Sequence, residues 1–370
     1  MKFTCTQENL YRGLSVVNHL AGKNTTLPIL NNVLLKAEDG LLELSTTNLE
    51  VGIKCHIRGK IEQPGAFTVQ ARLLTDYVNL LPKQPVDLEL KDLEMNVSCQ
   101  TFETKIKGVV ADDFPLIAGV SDKQSITVEI DEFKESLSQV LFAVALDETR
   151  PEINGVLFSL VKNKLILAAT DSFRLAERTI DLGKGAKELE ARFIVPFRTM
   201  QELSRVLGES LDEKNITIAW SDNQVMFTFA GIELVSRLIE GQYPDYQQII
   251  PTHFKTEATI DAKEFLQLVK SAALFCRAGI NDVHFIFNAA KKTIEVKAAN
   301  SQLGENKGAM KAEITGDENE IVFNYRYVLD GLAAMGGDKV QFKLIDKHNP
   351  GLFLPAGKGS YTYIVMPIKS

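Results

Sequence analysis

The chain is expected to be an α+β protein of three tandem domains, each built from two strand-helix-three-strand units. Two internal repeats carry this expectation. FTVQARLLTDYVNLL from Phe67, FIVPFRTMQEL from Phe193 and IVFNYRYVLDGLAAM from Ile321 each run from a β-branched and aromatic strand into apolar residues at helical spacing, and they begin 126 and 128 residues apart. KFTCTQENLYRGLSVV, SITVEIDEFKESLSQVLFAV and EATIDAKEFLQLVKSAALF each open one third of the chain with a short strand and an amphipathic helix. A period of roughly 125 residues is far longer than the 20 to 50 of stacked solenoid repeats, so the repeated units are domains.

In chain order, the opening strand and helix of each third lead into a hairpin. LNNVLLKAEDGLLELSTTN, INGVLFSLVKNKLILAATD and VHFIFNAAKKTIEVKAANS are each two hydrophobic runs about a turn of Gly, Asn, Asp or Lys. The second strand follows, then a helix opened by Arg72, Arg198 or Arg326, then three further strands and a proline-containing segment such as ADDFPLI or GQYPDYQQIIP. The expected domains are 1–122, 123–253 and 254–370. Six such units suggest sheets forming one continuous surface and helices lining the other. A second copy would close such an arc, and symmetric dimers are the commonest assemblies.

Composition excludes several classes. The 370 residues are 45% apolar, enough to bury large cores. With 41 basic and 48 acidic residues the net charge is −7, so bulk charge alone points to no nucleic-acid partner and charge placement must decide. Cys5, Cys55, Cys99 and Cys276 stand singly, against a zinc site or a disulfide framework. Neither a signal peptide nor an apolar run of about 20 residues is present, and a cytoplasmic protein is expected.

Catalytic constellations are missing too. GLFLPAGKGS from Gly351 departs from a phosphate loop, because five residues separate Gly351 from Gly357 and Gly359 follows Lys358 where Ser or Thr would bind magnesium. His19, His56, His253, His284 and His348 are scattered and form no H-E-x-x-H pair. No G-x-S-x-G elbow occurs, and Asp112 with Asp113 read as a solvated turn before Phe114-Pro115. The expectation is a non-enzyme that works by shape and attachment. A repeat-built scaffold that binds peptides and never encloses DNA is the competing reading.

LPILNNVLL at Leu27, NGVLF at Asn154, ATDSFRLAERT at Ala169, LIEGQYPDYQQIIP at Leu238 and YIVMPIKS from Tyr363 stand in an order, spanning the whole chain, that resembles the bacterial DNA polymerase III beta subunit family, the sliding clamps. The resemblance implies three DNA-clamp domains per chain, with helices lining the inside and sheets forming the outside of a ring. It implies a homodimer that encircles double-stranded DNA and tethers the replicative polymerase as a processivity factor, with no cofactor and no metal. Implied partners are the DNA polymerase III alpha subunit, the clamp loader complex, and other polymerases and repair proteins through short linear motifs, with no membrane.

Three surfaces follow. Arg12, Arg72, Lys134, Arg198, Arg205, Lys263, Lys270 and Arg326 lie within or at the start of helical segments, and recurrence at equivalent places in the repeats would favour a DNA-facing role. Each neutralised phosphate adds about 0.9 to the salt slope, so a ring that must slide is expected to keep its basic charge modest. The resemblance adds Lys23, Asn24 and Arg150 to this surface. It also implies a hydrophobic peptide cleft of Ile153, Thr170, Ser172, Phe173, Arg174, Leu175, Pro244, Gln248, Ile249, Tyr327, Ile364, Met366, Pro367 and Ile368. Ser172-Phe173 stands where the family often has Gly-His, and Gln248 where a basic residue is common, so a narrower and less cationic cleft is expected. For ring closure, Leu274 and Phe275 match the family's apolar contact, facing an edge strand from Phe102 through Lys105 to Lys107.

Overall fold

The computed structural model describes residues 1–22, 26–117, 119–120, 124–147, 149–183, 189–208, 213–357 and 359–369. Lys23, Asn24, Lys358 and positions 121–123 at the first expected boundary lie outside the described residues.

Six α-helices occur among the described residues: α1 (Gln7–Asn18), α2 (Ala71–Leu80), α3 (Ile130–Leu141), α4 (Phe197–Leu207), α5 (Ala262–Ala273) and α6 (Tyr325–Met335). Each follows directly on a strand, as the repeats require. Where the strand ends, a side chain takes over an orphan amide of the helix: Thr6 accepts from Asn9 N–H, Asp261 from Glu264 N–H and Asn324 from Arg326 N–H. The expected strands are present, with two additions. Lys60–Gln63 and Glu313–Gly316 add short edge strands to the first and third repeats. KIEQ and EITG carry too little apolar surface for hydrophobic periodicity to reveal them, and pairing with Lys2–Thr6 and Thr256–Asp261 orders them.

Tertiary contacts gather the chain into two compact units. The first holds residues 1–130 and 205–238 around a thirteen-stranded sheet, in which Val51–Arg58 pairs antiparallel with Ile232–Arg237, Ile232 opposite Cys55 and Ser236 opposite Val51. The second holds residues 131–204 and 239–370 around a nine-stranded and a four-stranded sheet. Within it Arg174–Asp181 pairs with Tyr361–Val365, Arg174 opposite Val365 and Arg178 opposite Tyr361. Each unit thus contains one seam at which strands from successive repeats join. The seams bury continuous cores, and α6 lies directly on the second: a Cβ on Gly331 would stand 2.2 Å from the Tyr363 ring, so the helix needs glycine there to pack. The Tyr363 hydroxyl donates to the Tyr327 carbonyl of the same helix at 2.9 Å.

Candidate functional site

The loop between strands Lys164–Thr170 and Arg174–Asp181 is built by its own side chains. The Thr170 hydroxyl donates to the Arg174 carbonyl (2.6 Å) and accepts from Ser172 N–H (3.1 Å), while one Asp171 carboxylate oxygen accepts from Phe173 and Arg174 N–H (2.9 Å each). Ser172 takes a left-handed φ of 77°, uncommon for a non-glycine residue and held here by those bonds. The C-terminal segment lies against this loop: Met366 N–H donates to the Phe173 carbonyl (2.8 Å) and Ile368 N–H to the Val322 carbonyl (2.9 Å).

Arg174 links the loop to α6. Its Nε donates to Asp171 (2.9 Å), its Nη1 to Asp330 (2.6 Å), and its guanidinium lies 4.7 Å from the Tyr327 ring centre and 5.3 Å from that of Phe142. A planar cation between two rings and two carboxylates is fixed in position and orientation. Around it, Phe173 (60%) and Ile249 (43%) are exposed, and Met366, Pro367, Ile368, Pro244 and Tyr327 are half-buried. Ile153, Leu175 and Ile364 are fully buried in a cluster with Tyr243, Tyr246 and Leu352, so they lie beneath this surface as its floor. Gln248 is exposed and donates to Asp245 at 2.7 Å.

Arg150 is tied to the same loop, donating to Ser172 Oγ (2.8 Å) and to Glu152 (3.1 Å). Arg205 is likewise engaged: its Nη2 donates at 2.7 Å to the Val16 carbonyl, one of the last in α1, where a cation opposes the negative end of the helix. It is a strut between helices.

The other basic candidates are exposed on their helices, yet their recurrence is narrower than the sequence reading expects. Arg72, Arg198 and Arg326 each occupy the second position of α2, α4 and α6. By contrast Arg12 is sixth in α1, Lys134 fifth in α3, and Lys263 and Lys270 second and ninth in α5. Similar apolar spacing makes the helices look equivalent in sequence although their basic residues sit on different turns. Arg72 lies 3.7 Å from Asp76 and Lys263 lies 3.7 Å from Asp338, both highly exposed pairs that water screens.

Two open sheet edges complete the picture. Strand Phe102–Val109 pairs along one side with Glu94–Cys99, but on the other meets Gly65–Gln70 only at Gly108 and Val109, leaving 102–107 open among the described residues. Phe102 is exposed, as are Lys105 and Lys107. Helix α2 presents Leu73 (49% exposed), Tyr77 and Leu80 (77% exposed), which the sequence reading missed although their i, i+4, i+7 spacing was visible as a second apolar face. Burial first, and then nearby Cys99 and Glu103, raise the Tyr77 hydroxyl above its ordinary range. In the other unit Gly304–Lys311 ends the four-stranded sheet, pairing among the described residues only with Thr293–Asn300. Leu274 (73%) and Leu303 are exposed, Phe275 is half-buried, and Asn300 Nδ2 holds the Cys276 carbonyl at 3.1 Å.

No helix among the described residues is long and apolar enough to cross a membrane.

Family models for the DNA polymerase III beta subunit match the chain in three consecutive parts: the N-terminal domain over 1–118, the central domain over 127–245 and the C-terminal domain over 247–369. The beta sliding clamp of Synechococcus elongatus is 31% identical over 372 residues, covering 100% of this chain and 99% of its own. The Bacillus subtilis DNA polymerase sliding clamp superposes with a TM-score of 0.94 at 28% identity, covering 100% of this chain and 99% of the other. The Pseudomonas aeruginosa DNA polymerase III subunit beta superposes at 0.95 and 26%, covering both chains in full, and the clamp of that organism has also been solved bound to griselimycin.

Proposed function

Because the chain belongs to the DNA polymerase III beta subunit family, with three tandem clamp domains, we infer that it is a DNA sliding clamp, a non-catalytic ring of two copies that encircles duplex DNA and tethers the polymerase for processive synthesis. The observation that carries this is the unbroken match of all three domains, in order, to proteins that share the fold from end to end. Domain limits at 1–122, 123–253 and 254–370 fit the repeats.

Arg72, Arg198 and Arg326, at one repeated helix position, are assigned to the DNA-facing surface, with Arg12, Lys134, Lys263 and Lys270 as additional long-range charge. Lys23 and Asn24 belong to the same assignment by resemblance alone. Retention on DNA comes from enclosure, so these contacts need only centre the duplex, and few strong phosphate contacts favour sliding.

The surface around Phe173, Ile249 and Met366, floored by Leu175 and Ile364, is the cleft for short linear motifs. Apolar anchors entering a site already ordered by Asp171 and Arg174 offset the entropy that a disordered peptide loses. The alpha subunit, the clamp loader, and other polymerases and repair proteins are the partners assigned to it, and compounds such as griselimycin are candidate competitors. Ring closure is assigned to the open edge 102–107 with Leu73, Tyr77 and Leu80 of one copy, meeting Gly304–Lys311 with Leu274 and Phe275 of the other. The cytoplasm, where the bacterial chromosome replicates, is the compartment.

Retention on DNA circles tests the ring. Protein loaded onto a closed circle should stay there at high salt and be lost once the circle is cut. Equal loss from circular and linear DNA would favour the scaffold that binds peptides without enclosing DNA.

A further inference from the structure

At the seam of the first unit, strand Ile232–Arg237 begins opposite Cys55, three residues before its neighbour Val51–Arg58 ends. The last rung is His56 N–H donating to the Gly231 carbonyl at 3.0 Å. Beyond it opens a cavity of about 520 Å³, lined among others by Asn9, Arg12, His56, Arg58 and Gly231. Helix α1 forms one side because Gly13 lets it lie close to the strand, a Cβ there being 2.6 Å from Ile57 Cδ1.

The charged groups at this hollow are mostly basic. Arg12 and Arg58 are exposed and make no ion pair among the described residues. The His56 ring is already committed, with Nδ1 3.3 Å from the Gly231 carbonyl and Nε2 3.4 Å from Glu43, an arrangement that needs a proton on both nitrogens and favours the imidazolium. The hydrogen bond from His56, ahead of the other contributions, holds the Glu43 carboxyl down at about 2. Glu233 adds a weaker negative charge near His56, and Glu213 is taken up by Ala230 N–H.

The second seam is an internal control. There Thr179 N–H donates to the Ser360 carbonyl at 2.8 Å, repeating the His56–Gly231 rung. The residues at the places of Arg12, His56 and Arg58 are Glu135, Thr179 and Asp181. One backbone arrangement therefore carries basic groups at one seam and acidic or neutral groups at the other, so the basic character of the first is a property of its side chains and not of the fold.

We propose that this hollow binds a phosphate group, with Arg12 and Arg58 as its ligands beside the fixed His56 ring. The volume takes a phosphate ester with part of its sugar or base, so the phosphate is presented either by a nucleic-acid backbone or by a free nucleotide. The site lies within one unit of one chain and stands whether or not two chains close a ring.

Calorimetric titration of the full chain at low salt with inorganic pyrophosphate, AMP and a short DNA duplex tests this, using wild type, R58D and R58K. R58D, which installs the residue of the second seam, should weaken binding of pyrophosphate and of the true ligand at least about tenfold, as loss of a charge-assisted contact does, while R58K stays within about threefold. If the duplex alone among the two esters responds, with its salt slope reduced by about one contact, the source is nucleic acid; if AMP alone responds, it is a nucleotide. The proposal is overturned if no probe binds the wild type, or if R58D binds all of them as the wild type does.

Discussion

Replacing Arg174 with Met keeps a flexible apolar stem between the rings of Phe142 and Tyr327 but removes the charge that joins Asp171 to Asp330. The Arg174 side chain is 13% exposed, whereas Asp330 is 46% exposed, so the full cost of breaking a buried pair, about 3 to 5 kcal/mol, does not apply. Asp171 keeps its two backbone amide donors and is not left stranded. Two cation–π contacts add about 0.5 to 1 kcal/mol each. A loss of roughly 2 to 3 kcal/mol results, and with about 1.4 kcal/mol per decade it should raise local opening some 30- to 150-fold. Because the chain has two compact units, one global unfolding energy is ill-defined, and hydrogen exchange in segments 170–178 and 325–335 is the right readout. Arg174→Lys should recover only part of the protection, since an ammonium cannot serve both carboxylates and stack between the rings. Unchanged exchange in Arg174→Met would refute the idea that this side chain holds the loop to α6, and full recovery by Lys would show that charge alone matters.

Asp at both Leu274 and Phe275 should give a folded monomer by light scattering, because a joint of apolar contact tolerates no unpaired charge; a mutant still twice the chain mass places the joint elsewhere. Deleting residues 366–370 removes half-buried apolar groups beside Phe173, so affinity for a labelled polymerase-tail peptide should fall at least about tenfold with the dimer intact, and equal affinities would move the cleft to another surface. The His56–Glu43 pair should also make stability depend on pH. His56 has a raised folded value, so its contribution is complete below its ordinary 6.5 and fades as pH rises through that raised value. Glu43, lowered from 4.5 to about 2, contributes above 4.5 and loses that contribution as pH falls toward 2. The melting-temperature gap between wild type and His56→Gln should therefore be larger at about pH 5.5 than at pH 9, and an equal gap would mean the pair does not titrate as described.

Hydrophobic periodicity made the helices and the long strands legible, because each has an apolar face that must be buried and a repeat that shows it three times. Lys60–Gln63 and Glu313–Gly316 escaped because their pairing is set by neighbours in space and not by their own pattern. Among the site residues, Ser172 and Phe173 could be placed from ATDSFRLAERT, yet the cage around Arg174 could not: Asp330 reaches it from α6 and Phe142 from the segment after α3, separations that no local spacing encodes. Arg205 has a contact that sequence does not reveal. A cation in an amphipathic helix looks free in sequence, and only the fold reveals that the end of α1 lies against it.

The two seams also share one backbone, the second carrying the surface proposed as the cleft and the first a filled joint. In the first unit Thr47 Oγ1 donates to Val51 O (2.9 Å) and accepts from Leu49 N–H (3.0 Å), Asn48 accepts from Glu50 (3.0 Å) and Val51 N–H (2.8 Å), and Leu49 has a φ of 78°. Arg237 N–H donates to Glu50 O at 3.1 Å, the counterpart of Met366 and Phe173. The loop is that of Thr170 to Arg174, bond for bond, so backbone geometry cannot be what makes a cleft. Side chains decide it. Gly52 stands where Leu175 forms the floor, and a Cβ on it would lie 2.6 Å from Ile117 Cγ2, so Ile117 fills that space. In the second seam the residue at the place of Ile117 is Tyr246, whose hydroxyl reaches Glu177 at 2.6 Å and leaves room for Leu175. Val51 replaces the caged Arg174, and charged Arg237 replaces Met366. Leucine at position 52 would collide with Ile117, and a small residue at 117 alone would leave a void over Gly52. Either change by itself is destabilising, so converting one seam into the other requires both together, and the two positions must be coupled in any double-mutant cycle.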